Sequence, residues 1–151
     1  MSTDRIGVNH KLYVSTSLLT DTAGTGAVWV EFVPIESTDG EMTREEISFK
    51  TRENGGQEFT CPGTFSATAS GSWIYKKDDA IQLAIITAIE AGDPVAIADV
   101  DGDITVSGTF GTIGNYSLSS VSSSKPISGG VTMSFSAKLS DAFYNMKYSV
   151  T

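Results

Sequence analysis

The chain has 151 residues, with 18 Asp and Glu against 10 Lys and Arg, a formal charge of −8 and a single cysteine. That length suits one domain able to bury about two-thirds of its unfolded surface, with no need of the internal disulfide that one cysteine could not form. A sequence pI near 4.4 excludes wrapping nucleic acid, which takes clustered Lys and Arg to displace counterions; near DNA such a surface repels phosphates, and otherwise it simply confers solubility.

The N-terminal MSTDRIGVNHK lacks the apolar core of a secretory leader. No apolar stretch is long enough to cross a bilayer, so a cytoplasmic site of synthesis and no membrane partner are expected. Residues 11–16 (KLYVST) read as a short strand, followed by a Thr- and Gly-rich loop. Residues 28–36 (VWVEFVPIE) are strongly strand-like, and Pro34 places their far end at an edge or bulge. Asp39-Gly40 marks a turn inside a polar loop over about 37–46. Alternation returns at 47–52 (ISFKTR) and breaks at Asn54-Gly55-Gly56.

Residues 64–75 carry the clearest period of two. Phe65, Ala67, Ala69, Gly71, Trp73 and Tyr75 share one face, and Thr64, Ser66, Thr68, Ser70, Ser72 and Ile74 the other. The small residues at its centre call for something packed very close, and the helix just downstream is the natural candidate. That helix is expected at 78–91 (DDAIQLAIITAIEA), with Asp78 as N-cap, Asp79 at the positive end of the dipole and Gly92 as the stop before Pro94. Ile81, Ile85, Ala88 and Ile89 recur at helical spacing and should lie on a sheet, while Leu83 points the opposite way. Strands at 95–99 and 104–110 flank Asp101-Gly102, a two-residue hairpin signal. Residues 115–121 alternate, 122–126 form a loop, and Val131, Met133, Phe135, Ala137 and Leu139 alternate in a last strand. A C-terminal tail from about 141 holds Phe143, Tyr144, Met146 and Tyr148, too apolar for a disordered end. The whole, residues 1–151, is expected to be one mainly β domain.

The search for chemistry returns little. His10 is the only histidine, which removes histidine triads and multi-histidine metal sites. Asp99, Asp101 and Asp103 resemble a calcium loop, but the glycine is misplaced and the closing Glu is missing, which favours a turn. Gly108, Gly111 and Gly114 do not open a helix, so they mark a bent or bulged strand pair instead of a phosphate cradle. Glu45-Glu46 suits a solvated surface. Cys61 beside Pro62 reads as a small apolar residue. Trp29 and Trp73 could form a sugar-binding platform, though large residues on alternating strands more often fill a core. No catalytic, cofactor-binding or metal site is therefore expected, and no cofactor.

The order of segments resembles the tail tube proteins of long-tailed bacteriophages and of phage-like elements in bacterial genomes. The likeness runs through KLYVST, VWVEFVPIE, ISFKTRENGG, TFSATASGSWIY, the helix after Lys76-Lys77, VAIADVDGDITVSGTF and VTMSFSAKL. It covers residues 11–140 and rests on order and pattern. It implies a two-sheet β-sandwich or barrel with one flanking α-helix at about 78–91. It also implies hexameric rings whose inner strands join around a DNA channel that is typically acidic. A polar loop, here 37–46 or the 52–58 turn, would reach the adjacent ring. The implied partners are further copies of the chain, tape measure and tail terminator proteins, and viral DNA passing without specific binding. The implied place is the virion tail, assembled in the host bacterial cytoplasm. Lys76, Lys77 and Lys138 could also face the channel, and Leu83 could contact a neighbouring subunit. The alternatives are the tube of a contractile or secretion-type injection system, and a β-sandwich carbohydrate-binding or adhesin module.

Overall fold

The computed structural model describes residues 10–33, 35–50, 52–53 and 55–151. Pro34 and Asn54, expected at an edge and a turn, lie outside the described residues. In chain order the elements are β1 (Lys11–Ser15), β2 (Val30–Glu31), β3 (Ile35–Lys50), β4 (Glu58–Ile74), α1 (Ala80–Ala91), β5 (Val95–Val100), β6 (Phe110–Ser124) and β7 (Thr132–Ser149). The strands form one sheet in the order β2-β1-β5-β6-β7-β4-β3, and every neighbouring pair is antiparallel.

The two expected layers are the two halves of this continuous sheet. β6 and β7 are long enough to serve both. Their upper parts pair with each other beside β5 and β1, and their lower parts carry β4 and β3. Register shifts at Gly111/Ile113, Gly114/Tyr116 and Leu118/Ser120 bend the ladder between the halves, because each bulge adds local twist. The bend brings β3 over β5, where the Thr38 hydroxyl donates to Asp99 Oδ2 at 3.2 Å. A core of Leu12, Val14, Phe32, Trp73, Val95, Ile97, Tyr116, Phe135 and Ala137 fills the space between, closed at one end by Ile85 and Ala88 of α1. A second cluster on the far side of β5 gathers Tyr13, Leu19, Ala96, Ala98, Val100, Ile104 and Ile113. β5 is thus buried on both faces, which explains its nearly unbroken apolar run.

Several expectations change. Residues 122–124, read as loop, are the end of β6, and of the described residues within 28–36 only Val30–Glu31 and the start of β3 are strand. Residues 37–46 are not a loop but the middle of the 16-residue β3. They read as a loop because both faces of that stretch are exposed and Asp, Gly and Glu have low strand propensity. Residues 104–110 are not a strand: β6 begins at Phe110, and 101–109 form a loop organised by Asp103, whose carboxylate accepts from the Thr105 amide and hydroxyl. The C-terminal tail is the second half of β7, paired with β6 from Phe110↔Ser149 to Gly114↔Tyr144. Finally, the close approach at Gly71 comes not from the helix but from the sheet. A Cβ there would meet the Ser37 carbonyl at 2.8 Å and Phe135 at 2.9 Å.

The helix starts two residues later than expected. Asp79, not Asp78, is the N-cap, accepting from the amides of Ile81 and Gln82, and Gly92 closes the helix in the left-handed conformation at φ 77°. Gln82 is fully buried. Its Oε1 accepts from the Lys76 amide and its Nε2 donates to the Ile74 carbonyl, which ties the first turn of α1 to the end of β4.

Candidate assembly surface

β3, β4, β7 and the lower part of β6 form a four-stranded platform whose two faces have opposite character. Register places Ser37, Ser72, Ser134 and Ser122 on one row, Asp39, Ser70, Ser136 and Ser120 on the next, and Glu41, Thr68, Lys138 and Ser117 on a third. Residues directly opposite in antiparallel strands share a face, so these rows make one hydroxyl-rich surface. Its hydroxyls bond across strands: Ser37 with Ser72 at 3.0 Å, Thr43 with Ser66 at 2.8 Å, and Ser122 with Ser134 at 2.7 Å. On the three rows, the carboxylates of Asp39 and Glu41 outnumber the single ammonium of Lys138. The opposite face carries Gly71, Phe135 and Val121, then Ala69, Ala137 and Leu118, and it packs on the core.

Among the described residues, the two borders of this platform are both unpaired. β5 accompanies β6 only down to Val95↔Tyr116, so residues 117–124 have β7 on one side and no described strand on the other. β3 ends the sheet on the far side. Two free edges bounding one polar surface give a repeating unit that can add copies sideways.

Above the platform, β3 and β4 continue as a hairpin without a third strand. Thr68 is the last residue of β4 in the β7 ladder, and Phe65 still packs on the Tyr144 ring of β7, so residues 58–64 project about 23 Å at the usual strand rise. Arg44 secures the base of this arm, donating to the Gly63 carbonyl at 2.9 Å and lying over the Phe65 ring. Farther out Phe49 and Phe59 stack with ring centroids 6.0 Å apart, and Ile47 faces Cys61 across the ladder. All four are exposed.

The residues singled out from sequence do not converge. His10 Nδ1 lies 3.2 Å from Asp99 Oδ1, and Asp101 accepts from the Phe110 amide, while Asp103 holds its own loop. Thr105 pulls the Asp103 carboxyl below its ordinary value, as Thr25 does for Asp21. Among the described residues, no group of three His, Cys, Asp or Glu is placed to hold a metal ion. Trp73 is fully buried between Phe32 and Phe135 and Trp29 is half-buried against the other cluster, which rules out the two-tryptophan platform. Lys138 lies on the hydroxyl face, whereas Lys76 and Lys77 lie in the turn after β4. Leu83 is 50% exposed. A cavity of about 220 Å³ between β3 and β5 is lined by Leu12, Met42, Ala69, Ile97, Tyr116 and Tyr144 together with Asp39, Glu41 and Asp99. Burial, with Tyr144 and Asp99 nearby, raises the Tyr116 hydroxyl far above its ordinary value. Sequence reading missed the arm aromatics and the free β6 edge. Phe49 and Phe59 do alternate in their segments, but an edge is a property of pairing that no local pattern records.

The same architecture occurs in solved structures of tails and injection machines. A chain of a gene transfer agent tail, determined with C6 helical symmetry, superposes with a TM-score of 0.69 at 15% identity, over 95% of this chain and 99% of its own. The SPP1 tail tube gives 0.71 at 21% identity, over 96% and 81%. A chain from the sheath–tube complex of the extracellular contractile injection system PVC gives 0.63 at 12% identity, over 97% and 94%. No protein-family model and no curated protein matches the chain. At these identities the likeness establishes the fold: mainly β, with one flanking helix, of the tail tube type.

Proposed function

We propose that this chain is the structural subunit of a phage-type tail tube, its copies joined side by side into rings that stack into a hollow conduit for viral DNA. The observation that carries this reading is the four-stranded platform, bounded on both borders by unpaired edges and presenting one hydroxyl-rich face. Pairing residues 117–124 of β6 in one copy with the β3 edge of the next extends the sheet without a break and buries the liability that each edge presents alone. Six copies, the symmetry of the gene transfer agent tail, would bring about twenty-four strands into one barrel, and at about 4.8 Å per strand its circumference would be at least about 115 Å. Such a barrel leaves an open channel.

The hydroxyl face suits the inside of that channel. It stays wetted, and its carboxylates on β3 outnumber its lysine on β7, so a passing duplex meets weak repulsion and no cationic trap. The role is structural, without a catalytic step. Tape measure and tail terminator proteins are the partners at the ends of such a tube, the virion tail is its place, and the host bacterial cytoplasm is where it assembles. A tube enclosed by a contractile sheath is the second reading, favoured by the likeness to the PVC sheath–tube complex. It uses the same edges and differs in what covers the outside.

Negative-stain microscopy of the purified protein across a concentration series tests the proposal. Rings or hollow tubes of uniform width are expected. Monomers at every concentration, with retention on a glycan array, would support the adhesin reading instead.

A further inference from the structure

We infer that the cavity between β3 and β5 is a binding site for a small organic ammonium ion, its charge held by Asp99 and its apolar body by the tyrosine and methionine side chains around it. This goes beyond the tube reading and does not depend on it. Protein interiors are normally filled to the density of an organic crystal. Here about 220 Å³ stays open, more than the ~150 Å³ that suffices to hold benzene in an engineered cavity. The opening is a matter of residue choice, not of backbone strain. Gly40 stands opposite Ala69 in the ladder, and a Cβ at position 40 would approach nothing nearer than the Thr68 carbonyl, at 3.9 Å. Neither a close approach nor a positive φ requires glycine there, and glycine weakens a strand interior. What it provides is room.

The lining selects the guest. Thr38, Gly40 and Met42 lie on the inner side of β3, since the Thr38 hydroxyl reaches Asp99 on β5. Asp39 and Glu41 alternate with them, so they border the cavity through their backbone and carry their carboxylates to the hydroxyl face. The walls are Leu12, Ala69, Ile97 and Phe135 with the rings of Tyr116 and Tyr144. Met42 and Met146, both half-exposed, line the cavity and the surface depression beside it, which gives a guest its way in. None of the lining residues is Lys, Arg or His. Asp99 Oδ2 accepts from the Thr38 hydroxyl and Oδ1 lies 3.2 Å from His10 Nδ1, and each oxygen keeps a further lone pair for another donor. The Tyr116 hydroxyl, raised first by burial and then by Tyr144 and Asp99, marks the wall as dry and negative. Such a carboxylate takes the hydrogens of an ammonium group, while the ring faces attract its charge and bury its stem. An anion is repelled there, and a neutral guest gains nothing from Asp99.

Methyl NMR titration of dilute full-length protein, with phenethylammonium and its neutral isostere 2-phenylethanol as probes, tests the site. The Leu12, Ile97 and Met42 methyl signals should shift and saturate with the cation at a Kd of about 1 mM, and the alcohol should bind at least about tenfold more weakly. Methyls of Ala96 and Val100, on the far side of β5, should stay still. Asp99→Asn, which keeps the shape of the side chain, should remove the preference for the cation and leave the weak binding of the alcohol as it was. Gly40→Leu, which fills the space, should abolish binding of both probes with the melting temperature unchanged or raised. Equal affinities for cation and alcohol, or cation binding of wild-type strength in Asp99→Asn, would overturn the ammonium assignment. Failure of both probes to saturate the wild-type protein by about 10 mM would overturn the site itself. Because the protein is dilute and unassembled, neither failure touches the tube reading, which the microscopy decides separately.

Discussion

Asn115 is the residue on which the inner architecture most depends. It is fully buried, its Oδ1 accepts from the Leu19 amide, and its Nδ2 donates to the Leu19 carbonyl and to Asp141 Oδ2. One amide side chain thus holds the loop after β1 and the bend of β7 against β6. Asn115→Ala leaves those buried groups unpaired, and a loss of about 2–4 kcal/mol is expected from urea unfolding. Tyr116 beside it sets an alkaline limit. Its hydroxyl titrates well above the ordinary value of 10.0 because it is buried, so the folded state holds its proton while the unfolded chain gives it up. Stability is then full below pH 10 and falls as pH rises beyond it. Tyr116→Phe should flatten that part of a pH–stability curve. At the acid end the sign reverses. Asp21 and Asp103 have carboxyls lowered from 3.8 by their Thr hydroxyl and amide partners, so their contribution is present above about pH 4 and is lost as pH falls through their lower folded values. Asp103→Asn should reduce the steepness of acid unfolding, measured by circular dichroism.

At the scale of elements, the helix and the long strand separate what a sequence discloses from what it hides. α1 is legible because capping and period are local: Asp79 and Gly92 bracket a run whose apolar residues recur every three to four positions. The cap assignment can be checked directly, since Asp79→Ala should cost about 1 kcal/mol and Asp78→Ala, with no capping bond, should lie within about 0.5 kcal/mol of wild type. The alternation of 64–75 is equally local, and it announces β4 and its two faces. The neighbours of β4 are not local. Gly71 is small because the β3 backbone and the Phe135 ring on β7 close over it, and both come from distant parts of the chain. Gly71→Ala forces the backbone at Ser37 to move, so a loss of about 1–3 kcal/mol is expected in thermal or denaturant unfolding. Residues 37–46 of β3 read as a loop for a related reason: a stretch exposed on both faces has no buried face to impose a period, so its polar composition reads as a turn. Gln82 shows the same limit on the helix, since a buried glutamine looks like a surface residue until the carbonyl of Ile74 is beside it.

At the scale of the whole molecule, the ladder registers decide where polar and apolar residues go. The chain places its hydroxyls on one broad face, its apolar residues behind it, and an unpaired strand edge on either side. Strand edges of this length are normally covered or blunted, and the proposed pairing would cover both. None of this can be read from composition: the same Ser and Thr content would fit an ordinary solvent face, and only the ladder registers line the hydroxyls up across four strands. Among the described residues the outlying β1, β2 and β5 and the helix bury the core and leave that platform free to repeat. The central claim is that the lower β6 edge of one copy pairs with β3 of the next. Amide hydrogen exchange, compared between dilute protein and assembled material, tests it most directly. The amides of residues 117–124 that β7 leaves unpaired, together with those on the outer edge of β3, should exchange at least about a hundredfold more slowly on assembly, while those of the already buried β5 change little. Assembled material in which both edges exchange as fast as in the dilute protein would contradict the account.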